Sequence, residues 1–189
     1  MNFPERFAMN TMQCRFQGFT VLELLVAIGI LTFLTSLAWG GWMEILPMVR
    51  LEAALGELVS DMQGARMKAI SENRVYSIRF DMNRQEYQVF RKHNGKKDIV
   101  KTVRLPEKYP GIRYGYNGVE PIHGTGPVPA ARFLDGEPEA AFYPTGMGKT
   151  GTVYLMVSEN LNTSGRRRAI TVACTGRIKI WRHTGVRWE

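Results

Sequence analysis

The sequence is poor in the residues that build metal clusters and disulfide frameworks. Its 189 residues include two cysteines, Cys14 and Cys174, and three scattered histidines, His93, His123 and His183. That is too little for a disulfide-stapled scaffold or a zinc site with recognisable ligand spacing, so a metalloenzyme is not expected. Acid is absent from one stretch: between Asn160 and Trp188 there is no Asp or Glu, while Arg166, Arg167, Arg168, Arg177, Lys179, Arg182 and Arg187 all fall there. Ionisable side chains are absent altogether from Leu24 to Met43, LLVAIGILTFLTSLAWGGWM, a run of twenty residues. What remains is ordinary, with 44% hydrophobic and 22% charged residues and a net charge of +8. Such a composition suits one globular domain with an appendage, and its basic excess permits attraction to nucleic acid or anionic lipid.

The uncharged run has membrane-spanning length, because a helix of about twenty residues covers the roughly 30 Å hydrocarbon core of a bilayer. Trp39 and Trp42 then fall at its far end, where indole rings prefer the headgroup level. The preceding MNFPERFAMNTMQCRFQG is polar and carries Arg6 and Arg15, and no small-residue secretory cleavage site follows the apolar core. On composition alone, an uncleaved anchor and a processed leader are both open.

The string Gly18-Phe19-Thr20-Val21-Leu22-Glu23 closely resembles the prepilin processing motif of the type IV pilin and type II secretion pseudopilin superfamily. The resemblance implies that a prepilin peptidase cuts between Gly18 and Phe19 on the cytoplasmic side and that the new terminal Phe19 is methylated. Glu23 becomes the fifth residue of the mature chain. A carboxylate at the start of a spanning helix is costly unless paired. No cation lies within one turn of Glu23, so its partner is expected from another molecule; the resemblance implies the amino group of Phe19 on a neighbouring subunit, a pair that would set helix register during assembly. The alternative is a Glu reaching the interface from a passive anchor.

Beyond Met43, Leu51, Leu55, Leu58, Met62, Ala65 and Ala69 recur at spacings of three and four, while Glu52, Glu57, Asp61, Arg66 and Lys68 take other positions. The pattern predicts an amphipathic helix ending near Ser71 to Asn73. Gly40, Gly41 and Pro47 are expected to bend or locally unwind it, either as a plain kink or, by the resemblance, as a hinge that melts on filament packing. From Val75 the period becomes that of strands: 75–81, 86–91 and 99–105 form an antiparallel meander. Short strands are expected at 112–116, 131–134 and 140–143 within a loop-rich region. Longer ones follow at 152–158, 168–174 and 177–182.

The order of a helix ending at Ser71-Glu72-Asn73-Arg74, a meander, Phe142-Tyr143-Pro144-Thr145-Gly146, a strand and a final hairpin with Thr175-Gly176-Arg177-Ile178-Lys179 is similar to the GspH/FimT family of minor pseudopilins and minor pilins. It implies an α+β, pilin-like fold: a long N-terminal helix, with a transmembrane half and an amphipathic half, on an antiparallel β-sheet head. The expected domains are a leader at 1–18, a transmembrane helix half at 19–46, an amphipathic half at 47–73 and a β-rich periplasmic head at 74–189.

Gly146-Met147-Gly148-Lys149-Thr150 ends like a phosphate-binding loop but lacks the required Gly at position 143, which is Tyr, and leads into a strand. Cys174 alternates with Ile170 and Val172 and is expected on an inward strand face. No nucleophile motif is present. In the last hairpin, alternation places Ile178 and Ile180 inward and Arg177, Lys179 and Trp181 on the outer face, a row suited to a phosphate backbone with a base on the indole. The FimT branch carries a DNA-binding Gly-Arg-x-Arg motif. Here it falls on Gly176, Arg177, Ile178 and Lys179, where Lys cannot form the Arg fork. The expected DNA set is Arg166, Arg167, Arg168, Arg177, Lys179, Trp181 and Arg182; a solvated basic face, or a patch meeting an acidic subunit, is the alternative. Arg91, Lys92, Lys96, Lys97 and Lys101 are expected as a second, solvated basic face.

These readings converge on a non-enzymatic minor pilin-like subunit without cofactors. Its partners are other pilins or pseudopilins, the prepilin peptidase and the inner membrane, which it crosses once with a periplasmic head. It enters a type II secretion pseudopilus or a type IV pilus as a tip or initiation component. The alternatives are a DNA-uptake minor pilin and, remotely, a membrane-anchored periplasmic enzyme.

Overall fold

The computed structural model describes residues 19–93, 96–116, 120–122, 129–158 and 167–189, and at 37–44 the backbone alone. The expected leader at 1–18, the side chains of Trp39 and Trp42, and Arg166 lie outside the described residues. The chain divides into two units, Met1–Trp42 and Met43–Glu189.

In the first unit, helix α1 begins; it runs over Val21–Ser71. Thr20 caps it, its hydroxyl accepting the Glu23 N–H at 3.2 Å while its carbonyl accepts the Leu24 N–H at 3.2 Å. Thr20 and Glu23 thus occupy the N-cap and third positions of a capping-box pattern. The helix is unbroken through Gly40, Gly41 and Pro47, so the expected local unwinding is not seen. One proline removes a single ladder hydrogen bond, which a helix of 51 residues accommodates. Among the described residues no helix is long and apolar enough to cross a membrane, the apolar run passing into 37–44, whose side chains lie outside the description.

In the second unit, Leu51, Ala54, Leu55, Leu58, Met62, Ala65 and Ala69 are all buried, as the helical spacing predicts. Asn73 stops the helix by taking a left-handed conformation (φ 52°), and the Arg74 N–H returns to the Ala69 carbonyl at 3.1 Å, a Schellman closure. The strands are β1 (Val75–Asp81), β2 (Glu86–His93), β3 (Lys96–Arg104), β4 (Ile112–Tyr114), β5 (Ala131–Phe133), β6 (Glu139–Phe142), β7 (Gly151–Val157), β8 (Arg167–Val172) and β9 (Ile178–Arg182), with a one-turn helix, α2 (Leu105–Lys108), after β3. They form two antiparallel sheets, β3-β2-β1-β6 and β4-β7-β8-β9, with β5 also paired to β7. Tyr76, Ile78 and Phe80 of the first sheet and Val153, Leu155, Ile170 and Val172 of the second join the helix stripe in one core.

Two expectations fail at the edge of the second sheet. Cys174 is exposed, because β8 ends at Val172 and the chain is already turning toward β9. Ile180 keeps the face of Ile178, as alternation requires, yet is 45% exposed because β9 is the outermost strand of its sheet.

Candidate functional site

At the expected processing segment, Phe19 is 84% exposed and Glu23 is exposed. No side-chain partner of the Glu23 carboxylate is found among the described residues; its backbone N–H alone is engaged, by Thr20. Gly18 lies outside the described residues.

The basic hairpin has its cations on two faces. The register Thr171↔Lys179 and Ala169↔Trp181 puts Lys179 and Trp181 on the face carrying Arg167, whereas Arg168↔Arg182 puts that pair on the opposite, core-side face. Arg168 is 1% exposed and cannot meet DNA. Its Nε donates to Glu52 Oε1 of α1 at 2.7 Å, with a second guanidinium nitrogen on the same oxygen, and a third donates to the Arg167 carbonyl at 2.9 Å. A guanidinium so buried needs these acceptors. Arg177, Lys179 and Arg182 are exposed, without an ion pair among the described residues. The Trp181 indole donates to Thr171 Oγ1 at 2.9 Å, and Lys179 Nζ sits 3.3 Å from its ring centre, so the ring face expected to receive a base carries the ammonium instead.

Sequence reasoning missed the aromatic cluster beside this face. Tyr154 meets Tyr116 and Trp188 at centroid distances of 5.2 and 5.6 Å, and Trp188 meets the buried His183 at 5.0 Å. Burial, with the Arg167 charge, holds the His183 imidazole below its usual value, and its Nδ1 accepts the Gly185 N–H at 3.1 Å. Trp188, six residues past β9, was the available signal.

The second basic set is only in part a solvated face: Lys96 and Lys97 are exposed and in no ion pair among the described residues, whereas Arg91, Lys92 and Lys101 are paired. Arg91 pairs with Asp98 at 3.0 Å and Glu72 at 3.5 Å, and Lys92 pairs with Glu139 at 2.5 Å. Lys101 reaches back to α1, meeting Glu57 at 3.0 Å and Asp61 at 2.7 Å. Burial alone would raise the Glu57 carboxyl, but hydrogen bonds from Lys108, Lys101 and Tyr109 bring it down to about 2. Burial and the bond to Glu57 push the Tyr109 phenol up to about 12.

The phosphate-loop lookalike is filled by its own backbone. The Gly148 N–H donates to the Cys174 carbonyl at 3.0 Å and the Lys149 N–H to the Ala141 carbonyl at 2.8 Å, while the Lys149 ammonium pairs with Asp135. Arg66 of α1 clamps this loop to the hairpin turn, donating to the Gly146 carbonyl at 2.9 Å and the Thr175 carbonyl at 3.3 Å. Gly176 has φ 74°, and a Cβ there would lie 2.3 Å from the Gly146 carbonyl oxygen. The two glycine turns therefore mark a packing lock. Among the described residues no group of His, Cys, Asp and Glu could hold a metal.

The family model described as Type II transport protein GspH matches residues 54–176. The chain belongs to the GspH family. A prokaryotic N-terminal methylation motif also matches residues 14–39. Among solved structures, this GspH-family chain is similar to the minor pseudopilin EpsH from the type 2 secretion system of Vibrio cholerae, at 10% identity and TM-score 0.51, over 70% of this chain and 97% of that one. The type IV minor pilin FimU of Pseudomonas aeruginosa is found at 16% identity and TM-score 0.47, over 74% and 92% of the two chains. No match to a curated protein sequence is found. The GspH-family protein is therefore a minor pseudopilin or minor pilin, a structural filament subunit of a type II secretion system or type IV pilus rather than an enzyme, and its partners are other pilin-type subunits.

Proposed function

We propose that the chain is cut by a prepilin peptidase between Gly18 and Phe19, methylated on Phe19, held in the inner membrane by residues 19–46 as a single span, and assembled near the tip of its filament or as an initiator, with the head of 74–189 in the periplasm and 47–73 joining it to the span. The observation that carries this reading is the coincidence of Gly18, Phe19 and Glu23 with the methylation-motif match over 14–39. Glu23 supports its second half: its carboxylate is exposed at the start of α1, available to the Phe19 amino group of a neighbour. Intact-mass measurement of the protein from cells containing the peptidase tests it. Loss of residues 1–18 with one added methyl is expected, and a full-length mass would overturn it.

A second reading, DNA contact during uptake, is favoured by the absence, among the described residues, of acid partners around Arg177 and Lys179. Arg167 shares the outer face with Lys179 and Trp181, while Arg182 projects from the other face. Binding of duplex DNA with a log-log salt slope of roughly −0.9 per phosphate contacted is the expected signature, flattened by Arg177→Ala with Lys179→Ala. Undetectable binding at low salt would remove this reading and leave the structural role.

A further inference from the structure

The β8–β9 ladder engages alternate residues of β9. The Arg177 carbonyl accepts the Ala173 N–H at 2.9 Å, and the His183 N–H donates to the Arg167 carbonyl at 3.3 Å. With Lys179 opposite Thr171 and Trp181 opposite Ala169, the backbone groups of these odd-numbered residues turn toward β8, and those of Ile178, Ile180 and Arg182 turn away from it. At Arg182 that outer side is filled. Its N–H donates to the Glu189 carbonyl at 2.8 Å and its carbonyl accepts the Glu189 N–H at 2.9 Å, after a tight reversal in which the Thr184 N–H meets the Arg187 carbonyl at 2.9 Å. At Ile180 and Ile178 no described residue pairs on this side. The sheet thus ends in a short open edge, beside which Ile180 is 45% and Val186 92% exposed.

An unpaired edge is a template for another strand, and cations on it oppose pairing with a copy of itself. Two β9 edges side by side would crowd Arg177, Lys179 and Arg182 from both copies, none of them neutralised within its own chain among the described residues. An acid-bearing strand meets the opposite situation, since it supplies the missing counter-charges and the missing backbone partners together.

We infer that the open edge of β9 over Ile178–Ile180 is a docking site for an extended acidic segment of a neighbouring filament subunit, which adds as the next strand of the second sheet. That the partner is a filament neighbour rests on the assembly reading above; the edge and its charge preference do not.

The test uses the full-length chain in detergent micelles and two synthetic peptides, one alternating Glu with Val and one alternating Lys with Val. The acidic peptide is expected to bind and to slow hydrogen exchange at the Ile178 and Ile180 amides tenfold or more, leaving Lys179 and Trp181 unchanged. Ile180→Pro removes a donor on the open side without touching the β8 ladder, and should weaken binding at least tenfold. Arg177→Glu with Arg182→Glu should transfer the preference to the lysine peptide. Absence of binding at low salt, undiminished binding to the Ile180→Pro variant, or protection that avoids Ile178 and Ile180 would each overturn the inference. Self-association lost in the Ile180→Pro variant would also overturn it, by making a second copy the occupant. Should Ile180→Pro fail to fold, the exchange pattern of the unaltered chain decides. Failure of the assembly reading shows in the mass of the processed chain and leaves peptide binding untouched.

Discussion

In the β1–β3 meander, Arg91 meets Asp98 and Glu72, Lys92 meets Glu139, and Lys101 meets Glu57 and Asp61; in the β8–β9 hairpin, Arg177, Lys179 and Arg182 meet no carboxylate among the described residues. Both regions look alike as counts of basic residues. They differ at Arg91, Lys92 and Lys101, where the fold has already supplied the counter-charge, while Lys96 and Lys97 of the meander stay exposed and in no ion pair among the described residues. Lys101 joins a strand to α1, so its charge holds the head together, whereas the hairpin cations remain available to something outside the chain. Arg168 marks the boundary between the two: it lies in the hairpin by sequence and behaves like the meander set, with Glu52 of α1 as its partner.

The largest effect that would break this comparison is expected at Arg168. Arg168→Ala should cost about 2 kcal/mol, since it empties a buried site and removes the guanidinium's bonds to the partly exposed Glu52 and to the Arg167 carbonyl, whereas Arg177→Ala should stay within about 0.5 kcal/mol by chemical denaturation. Equal losses would mean that the hairpin set is structural after all. Gly176→Ala comes next, also at about 2 kcal/mol, because the added Cβ meets the Gly146 carbonyl in a left-handed turn. Lys101→Met should cost about 1 kcal/mol once its partial exposure is counted, with Lys179→Met nearly silent. The remaining effect is a matter of pH. The Glu57 carboxyl sits near 2 in the folded head against an ordinary value of 4.5, so the unfolded chain takes up the proton first and stability falls as pH drops from 4.5 toward 2. Glu57→Gln should remove that part of the acid slope, and an unchanged slope would exclude Glu57 as its source.

Local pattern carried most of the architecture. Every residue of the predicted helix stripe is buried and every predicted strand is present, because burial on one face writes a period of 3.6 or 2 into the chain. The methylation motif over 14–39 was equally readable, being a continuous string. The basic hairpin was readable only by face. Alternation put Lys179 and Trp181 together correctly, but which cations are buried depends on partners more than a hundred positions away, as Glu52 is from Arg168. Nor does alternation say where a sheet stops, which is why Ile180 and Cys174 came out exposed. The acid partners of Arg91, Lys92 and Lys101 are likewise distant in sequence, apart from Asp98, and no spacing rule links them.

The cap at Thr20 also bears on the proposed cleavage after Gly18. A peptidase threads extended backbone through its active site, and hydrogen-bonded helical turns resist that threading. Since α1 opens at Val21 with Thr20 holding the Glu23 N–H, only Phe19 and Thr20 among the described residues precede the helical turns. If the chain is cut as proposed, the hydroxyl of one threonine draws the line beyond which the cutting enzyme would have to unwind the helix.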